Sequence, residues 1–128
     1  MHLGININVN LAKFYIKERI MTMAFKTLFL AHAPDADKEK HRNIIDTGKY
    51  KLFIVVIKKQ DEAIQICKDF FNKESINSII LCPGFTHNNV AEIVQAVGNK
   101  VAVSVARGDG PSSKISQAAR KKEGFINT

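Results

Sequence analysis

The sequence predicts an α/β domain with three layers around a mainly parallel four-stranded sheet, in the chain order β-α-β-α-β-α-β, half of a flavodoxin-like arrangement with an extra N-terminal strand. Three observations point there. Four short apolar runs, at residues 27–31, 52–57, 79–81 and 101–105, have the length and β-branched content of buried strands. The stretches between them repeat their apolar residues at helical spacing. A chain of 128 residues, 45% hydrophobic and 24% charged, has the size and composition of one globular domain with a single core.

Taken in order, Leu3, Ile5, Ile7, Val9 and Leu11 alternate with Gly4, Asn6, Asn8 and Asn10, the period of a half-buried strand at a sheet edge or against a second chain. A competing reading starts the natural protein later, at Met21 or Met23, because Lys17-Glu18 fits a ribosome-binding sequence in AT-rich codons. The run at 27–31 is the first strand, closed by Pro34, which has no donor for a ladder. Asp37 then reads as the N-cap of a short helix through Asp46, with His41, Ile44 and Ile45 on one face and Gly48 as its stop.

Residues 52–57 are apolar on both faces, as in a central parallel strand. Asp61 and Glu62 favour the positive end of a helix dipole, and Ala63, Ile66, Cys67, Phe70 and Phe71 form the inward stripe of a helix ending near Glu74. After the third strand, Asn89 with Glu92 reads as a capping box for a helix that buries Val90, Ile93, Val94 and Val97 and stops at Gly98. The fourth strand follows, in a sheet ordered 2-1-3-4 and covered by helices on both faces. Residues 116–123 read as a short polar helix. The division is an N-terminal extension at 1–23, an α/β domain at 24–110 and a basic tail at 111–128.

The formal charge of +7 raises nucleic acid as a partner, but its distribution argues against it. Residues 1–23 carry three basic and one acidic side chain, residues 24–106 eleven and nine, and residues 107–128 five and two. The excess sits at the ends, so no basic groove is evident on the fold. No run approaches the roughly 20 apolar residues of a membrane-spanning helix, and Asn6, Asn8, Asn10 and Lys13 interrupt any secretory core, which makes the cytoplasm the expected compartment. The two cysteines, Cys67 and Cys82, are too few for a disulfide framework and read as reduced thiols.

Three loop segments carry a resemblance. Ala33-Pro34-Asp35-Ala36-Asp37 with His41-Arg42, Cys82-Pro83-Gly84-Phe85, and Val105-Ala106-Arg107-Gly108-Asp109-Gly110 together resemble a small prokaryotic family classified only as a domain of unknown function, from about residue 25 to residue 110. Members of that family begin near the position of Met23. They show glycine where this chain has Pro83 and an aromatic residue where it has Gly108. The resemblance implies no established activity.

In an open parallel sheet ligands bind outside the carboxyl ends of the strands, which here bring His32 and Asp35, then Cys82, Gly84 and His87, then Arg107 and Asp109. One chemistry makes Cys82 a nucleophile with His32 or His87 as its base; a buried apolar cysteine explains the residue equally simply. A second gathers His32, His41 and His87, with Cys82 or Asp35, around a divalent metal, although no local pair has ligand spacing. The third needs only an anion: Gly84, Thr86, His87, Arg107 and Asp109 supply backbone donors and charge, with Ser112, Ser113 and Lys114 in a loop that closes over it. Asp35, Asp37 and Glu39 are explained by capping, Arg107-Gly108-Asp109 by a turn, and Arg120-Lys121-Lys122 by a solvated helix face.

The leading expectation is therefore a domain that binds a small anionic ligand at the carboxyl ends of the strands. The sequence assigns no identity to any cofactor. Two rivals are a non-catalytic oligomerisation module, whose N-terminal strand and basic tail engage a second copy, and a thiol- or metal-dependent enzyme using Cys82 and nearby histidines.

Overall fold

A computed structural model describes residues 23–125. The N-terminal strand at residues 3–11 and the alternative start at Met21 lie outside the described residues.

The first apolar run becomes β1 (Phe25–His32), the second β3 (Tyr50–Ile57), the third β4 (Ser78–Leu81) and the fourth β5 (Ala102–Val105), all mutually parallel. Between β1 and β3 lies a further strand, β2 (Arg42–Asp46), antiparallel to β3. The five-stranded sheet runs β2-β3-β1-β4-β5, so the four expected strands keep their 2-1-3-4 order and a fifth is added at the edge. Helices α1 (Gln60–Glu74), α2 (His87–Ala96) and α3 (Gly110–Lys122) follow β3, β4 and β5.

The segment read as a helix through Asp46 is thus corrected to a turn and a strand. Asp37 caps no helix. Its carboxylate accepts from the Glu39 N–H at 2.9 Å, an Asx-type turn that also pulls its pKa below the usual carboxylate range. Its own N–H donates to His41 Nδ1 at 2.8 Å. Ile44 and Ile45 then point to opposite sides of the sheet, opposite Phe53 and Leu52. Gly48, at φ 97°, turns a hairpin rather than stopping a helix, and its N–H donates to Asp46 Oδ1 at 2.8 Å.

That correction removes the third layer. The steps from β3 to β4 and from β4 to β5 cross the sheet in the same direction, so right-handed crossovers place α1 and α2 on one face, where they pack on each other. Step β1 to β3 runs the other way, but it travels through β2 along the edge and carries no helix. The core accordingly lies on one side: Leu28, Leu30, Phe53, Val55, Ile57, Ile79 and Leu81 are buried against Ala63, Ile66, Cys67, Ile93 and Val97 of the two helices.

Glu62 anchors the start of α1, its Oε1 accepting from the Lys58 and Lys59 N–H groups at 2.9 and 3.0 Å. The cap of α2 is Thr86, three residues earlier than the expected Asn89; Thr86 Oγ1 accepts from the Asn89 N–H at 3.2 Å. Helix α3 begins at Gly110, six residues before the expected helix, and none of its residues is fully buried. Among the described residues no helix is long and apolar enough to cross a membrane.

Candidate functional site

A cleft of about 650 Å³ opens beyond the carboxyl ends of β4 and β5, between the body of the domain and α3. Pro83, Phe85 and His87 line it from the β4–α2 connection, and residues 105–109 line it from the end of β5. Helix α3 completes it with Ser112, Ser113, Ser116, Gln117 and Arg120. Positions 113, 116, 117 and 120 stand at i, i+3, i+4 and i+7, one stripe of a helix. That stripe is polar and faces the protein.

Two guanidinium groups and one carboxylate charge the cleft. Arg107 Nε donates to Asp109 Oδ1 at 2.7 Å, and both side chains remain largely exposed, so the pair contributes little to stability. Arg120 differs. Its Nε is buried with no hydrogen-bond partner, and a donor in that condition costs about 1–3 kcal/mol unless something accepts from it. Its position is held from behind, because the Phe125 N–H folds back to the Arg120 carbonyl at 2.9 Å. With one carboxylate already engaged by Arg107, the cleft is lined on the α3 side by Arg120, three serines and Gln117.

The expected crevice across β1, β4 and β5 is divided in two. Phe85 stands between the parts: it lines the cleft on one side and packs on the His32 ring on the other, with centroids 4.1 Å apart. Behind it, His32 Nδ1 lies 3.6 Å from Cys82 Sγ. These two residues end β1 and follow β4, neighbouring strands from which the chain departs in opposite directions. Burial lowers the His32 pKa and keeps the ring neutral near pH 7. Cys67 is the contrasting thiol: it is fully buried on the inner side of α1, and burial pushes it up to about 12.

The sequence matches a family of unknown function, DUF6506, over residues 25–121. The chain belongs to this family. No curated protein matches it. The DUF6506 match takes in every element from β1 to all but the last residue of α3, so the helix that walls the cleft is part of the family's domain rather than a tail.

Of the expected ligand-binding residues, His87, Arg107 and Asp109 line the cleft; Gly84 and Thr86 do not, Thr86 being spent as the cap of α2. His32 and Cys82 meet each other outside it. His41 and Asp35 join neither group, and among the described residues no three histidine, cysteine or acidic side chains could hold a metal together, so His32, His41 and His87 are not brought to one point. Pro83 and Gly108 are neighbours in space: a Cβ on Gly108 would come 3.8 Å from Pro83 Cβ and 3.3 Å from Ser113 Oγ. A large residue at 108 would therefore enter the cleft wall.

Sequence reasoning missed Ser116, Gln117 and Arg120. The signal was present as a polar stripe of period three and four, but a polar stripe on a terminal helix is the ordinary pattern of a solvated face. Only the position of α3 across the cleft from the end of β5 separates the two meanings.

Proposed function

We propose that the cleft between α3 and the ends of β4 and β5 binds a small anionic ligand. The observation that carries this reading is Arg120, which lines the cleft of about 650 Å³, the size of a small-molecule site, and whose buried Nε has no hydrogen-bond partner. A phosphate or carboxylate oxygen there accepts from Arg120, from the hydroxyls of Ser113 and Ser116, and from Arg107 once it turns from Asp109. First-turn residues of α2 and α3, His87 and Ser112, add the positive ends of two helices to the same space. Supported this way, the activity is recognition.

The test is thermal unfolding of the purified chain with inorganic phosphate, nucleotides and small dicarboxylates. A ligand at 100 times its dissociation constant stabilises the native state by about 2.7 kcal/mol. The shift is expected to vanish in Arg120→Ala and to shrink in Arg107→Ala. No shift with any of these probes, or one that Arg120→Ala leaves intact, overturns the reading.

A second reading rests on the Cys82–His32 contact. Cys82 is half-buried with its Sγ 3.6 Å from His32 Nδ1, the pairing of thiol and imidazole that cysteine nucleophiles use. Alkylation of the native protein by iodoacetamide is expected at Cys82 and not at Cys67, and to slow in His32→Gln; equal rates at Cys82 in the two proteins would remove the reading.

A further inference from the structure

One surface is unused by either reading. The face of the sheet turned away from α1 and α2 carries Phe25 and Phe29 of β1, Ile45 of β2, Leu52 and Ile54 of β3 and Ile80 of β4, which register places side by side. Phe25 and Ile45 are 53% and 54% exposed, and the others are half-buried by one another. Among the described residues no helix covers this face, because the step from β1 to β3 runs through the edge strand. The composition is wrong for water. A sheet face that meets solvent alternates with polar and charged residues, whereas continuous Phe, Leu, Ile and Val belongs to a sheet covered on both sides.

The chemistry of the cover follows from what the face lacks. The positions between the large residues, among them Thr27, Ala31, Asn43, Tyr50, Val56, Ser78 and Ser104, are also uncharged, so the face carries no charged side chain in a protein of which 24% is charged. An acidic or basic partner would find nothing there to pair with. An identical neutral face fits it, and a chain of net charge +7 can approach a copy of itself closely only through a surface free of lysine and arginine. The 29 residues of the five strands, at about 3.3 Å per residue and about 4.8 Å between strands, give a planar footprint of roughly 460 Å². That is more than half of the roughly 800 Å² per partner of a standard interface, before the relief of the side chains is counted.

We infer that this face is a homodimer interface, in which the sheets of two copies pack face to face with α1, α2 and the ligand cleft on the outside of the pair. The family match begins at residue 25, so every residue of this face belongs to the shared domain. Aligned sheets pack about 10 Å apart, with the strands rotated by about 30°.

The experiment is sedimentation equilibrium of the full chain at micromolar concentrations, beside Ile54→Lys at the centre of the face and Phe25→Lys and Ile45→Lys, whose side chains are already more than half exposed. A version beginning at Met23 is run in parallel. The expected result is twice the 14.3 kDa chain mass for the full chain and the shortened version, and monomers with unchanged far-ultraviolet circular dichroism for the lysine variants. A monomeric full chain overturns the inference, and if the Met23 version alone dimerises, residues 1–22 are the cover instead. A dimer that withstands all three lysines, or that is lost on shortening alone, has its interface elsewhere and equally overturns it.

Discussion

The two faces of this sheet are built from alternate residues of the same strands, yet they are organised differently. Leu28, Leu30, Val55, Ile57, Ile79 and Leu81 face α1 and α2 and are fully buried, while Phe29, Leu52, Ile54 and Ile80, as apolar, keep part of their surface uncovered. The difference does not originate in strand composition. It originates in the 33–49 connection, which returns along the sheet edge as β2 where a helix would have crossed the face. One connection therefore decides whether, among the described residues, a two-sided apolar sheet is covered on both faces.

The largest effect expected from this contrast is on stability. Leu30→Ala, in the centre of the covered face, should destabilise the protein by about 2–5 kcal/mol in urea unfolding, the cost of lost burial and a cavity that packed neighbours cannot fill. Ile54→Ala, one strand away on the open face, should cost roughly half as much under conditions where the chain is monomeric, since part of that side chain is already in water. Equal costs would mean that the open face is as well packed as the covered one.

The same contrast explains what could be read from the residues alone. Strands 27–31, 52–57, 79–81 and 101–105 were legible because an apolar β-branched run has few other uses, and the stripe from Ala63 to Phe71 was legible because α1 buries it. The hairpin was not, although Asp46-Thr47-Gly48 between Ile45 and Leu52 is turn chemistry. Asp37, His41, Ile44 and Ile45 also satisfy a helical spacing, and the choice was settled by pairing with β3, a long-range interaction that local pattern does not contain. At the cleft, His87, Arg107 and Asp109 followed from the rule about strand ends, whereas Arg120 depended on where α3 lies. Capping went astray at Asn89 because Asn89-x-x-Glu92 imitates a box; Thr86, with its hydroxyl three residues before the Asn89 N–H, is the cap that forms.

The cover can be weakened from its end as well as from its centre. Thr86→Ala removes the side-chain acceptor that holds the first turn of α2, and a lost N-cap of this kind costs about 1 kcal/mol. The variant should unfold at a slightly lower urea concentration with an unchanged slope. Because Phe85 and His87 flank the cap and line the cleft, it should also weaken any anion bound there, which separates it from an ordinary surface substitution.

The smallest effect concerns pH and the rim where the covered face meets the strand ends. His32 shares a side of β1 with Leu28 and Leu30, and its burial lowers its pKa from the ordinary 6.5. The unfolded chain therefore binds a proton at this residue more readily than the folded one. Stability is at its full value above about 6.5 and declines as the pH falls from there through the lowered folded value, below which both forms are protonated and the His32 contribution levels off. Asp37 acts in the same direction but only below the ordinary carboxylate value of 3.8, in a separate range. Urea unfolding at pH 7.5 and at pH 5.5 should thus show a loss of stability in the natural sequence and a smaller loss in His32→Gln. A loss of the same size in both proteins would place His32 in water and take the ring out of the layer that α1 and α2 cover.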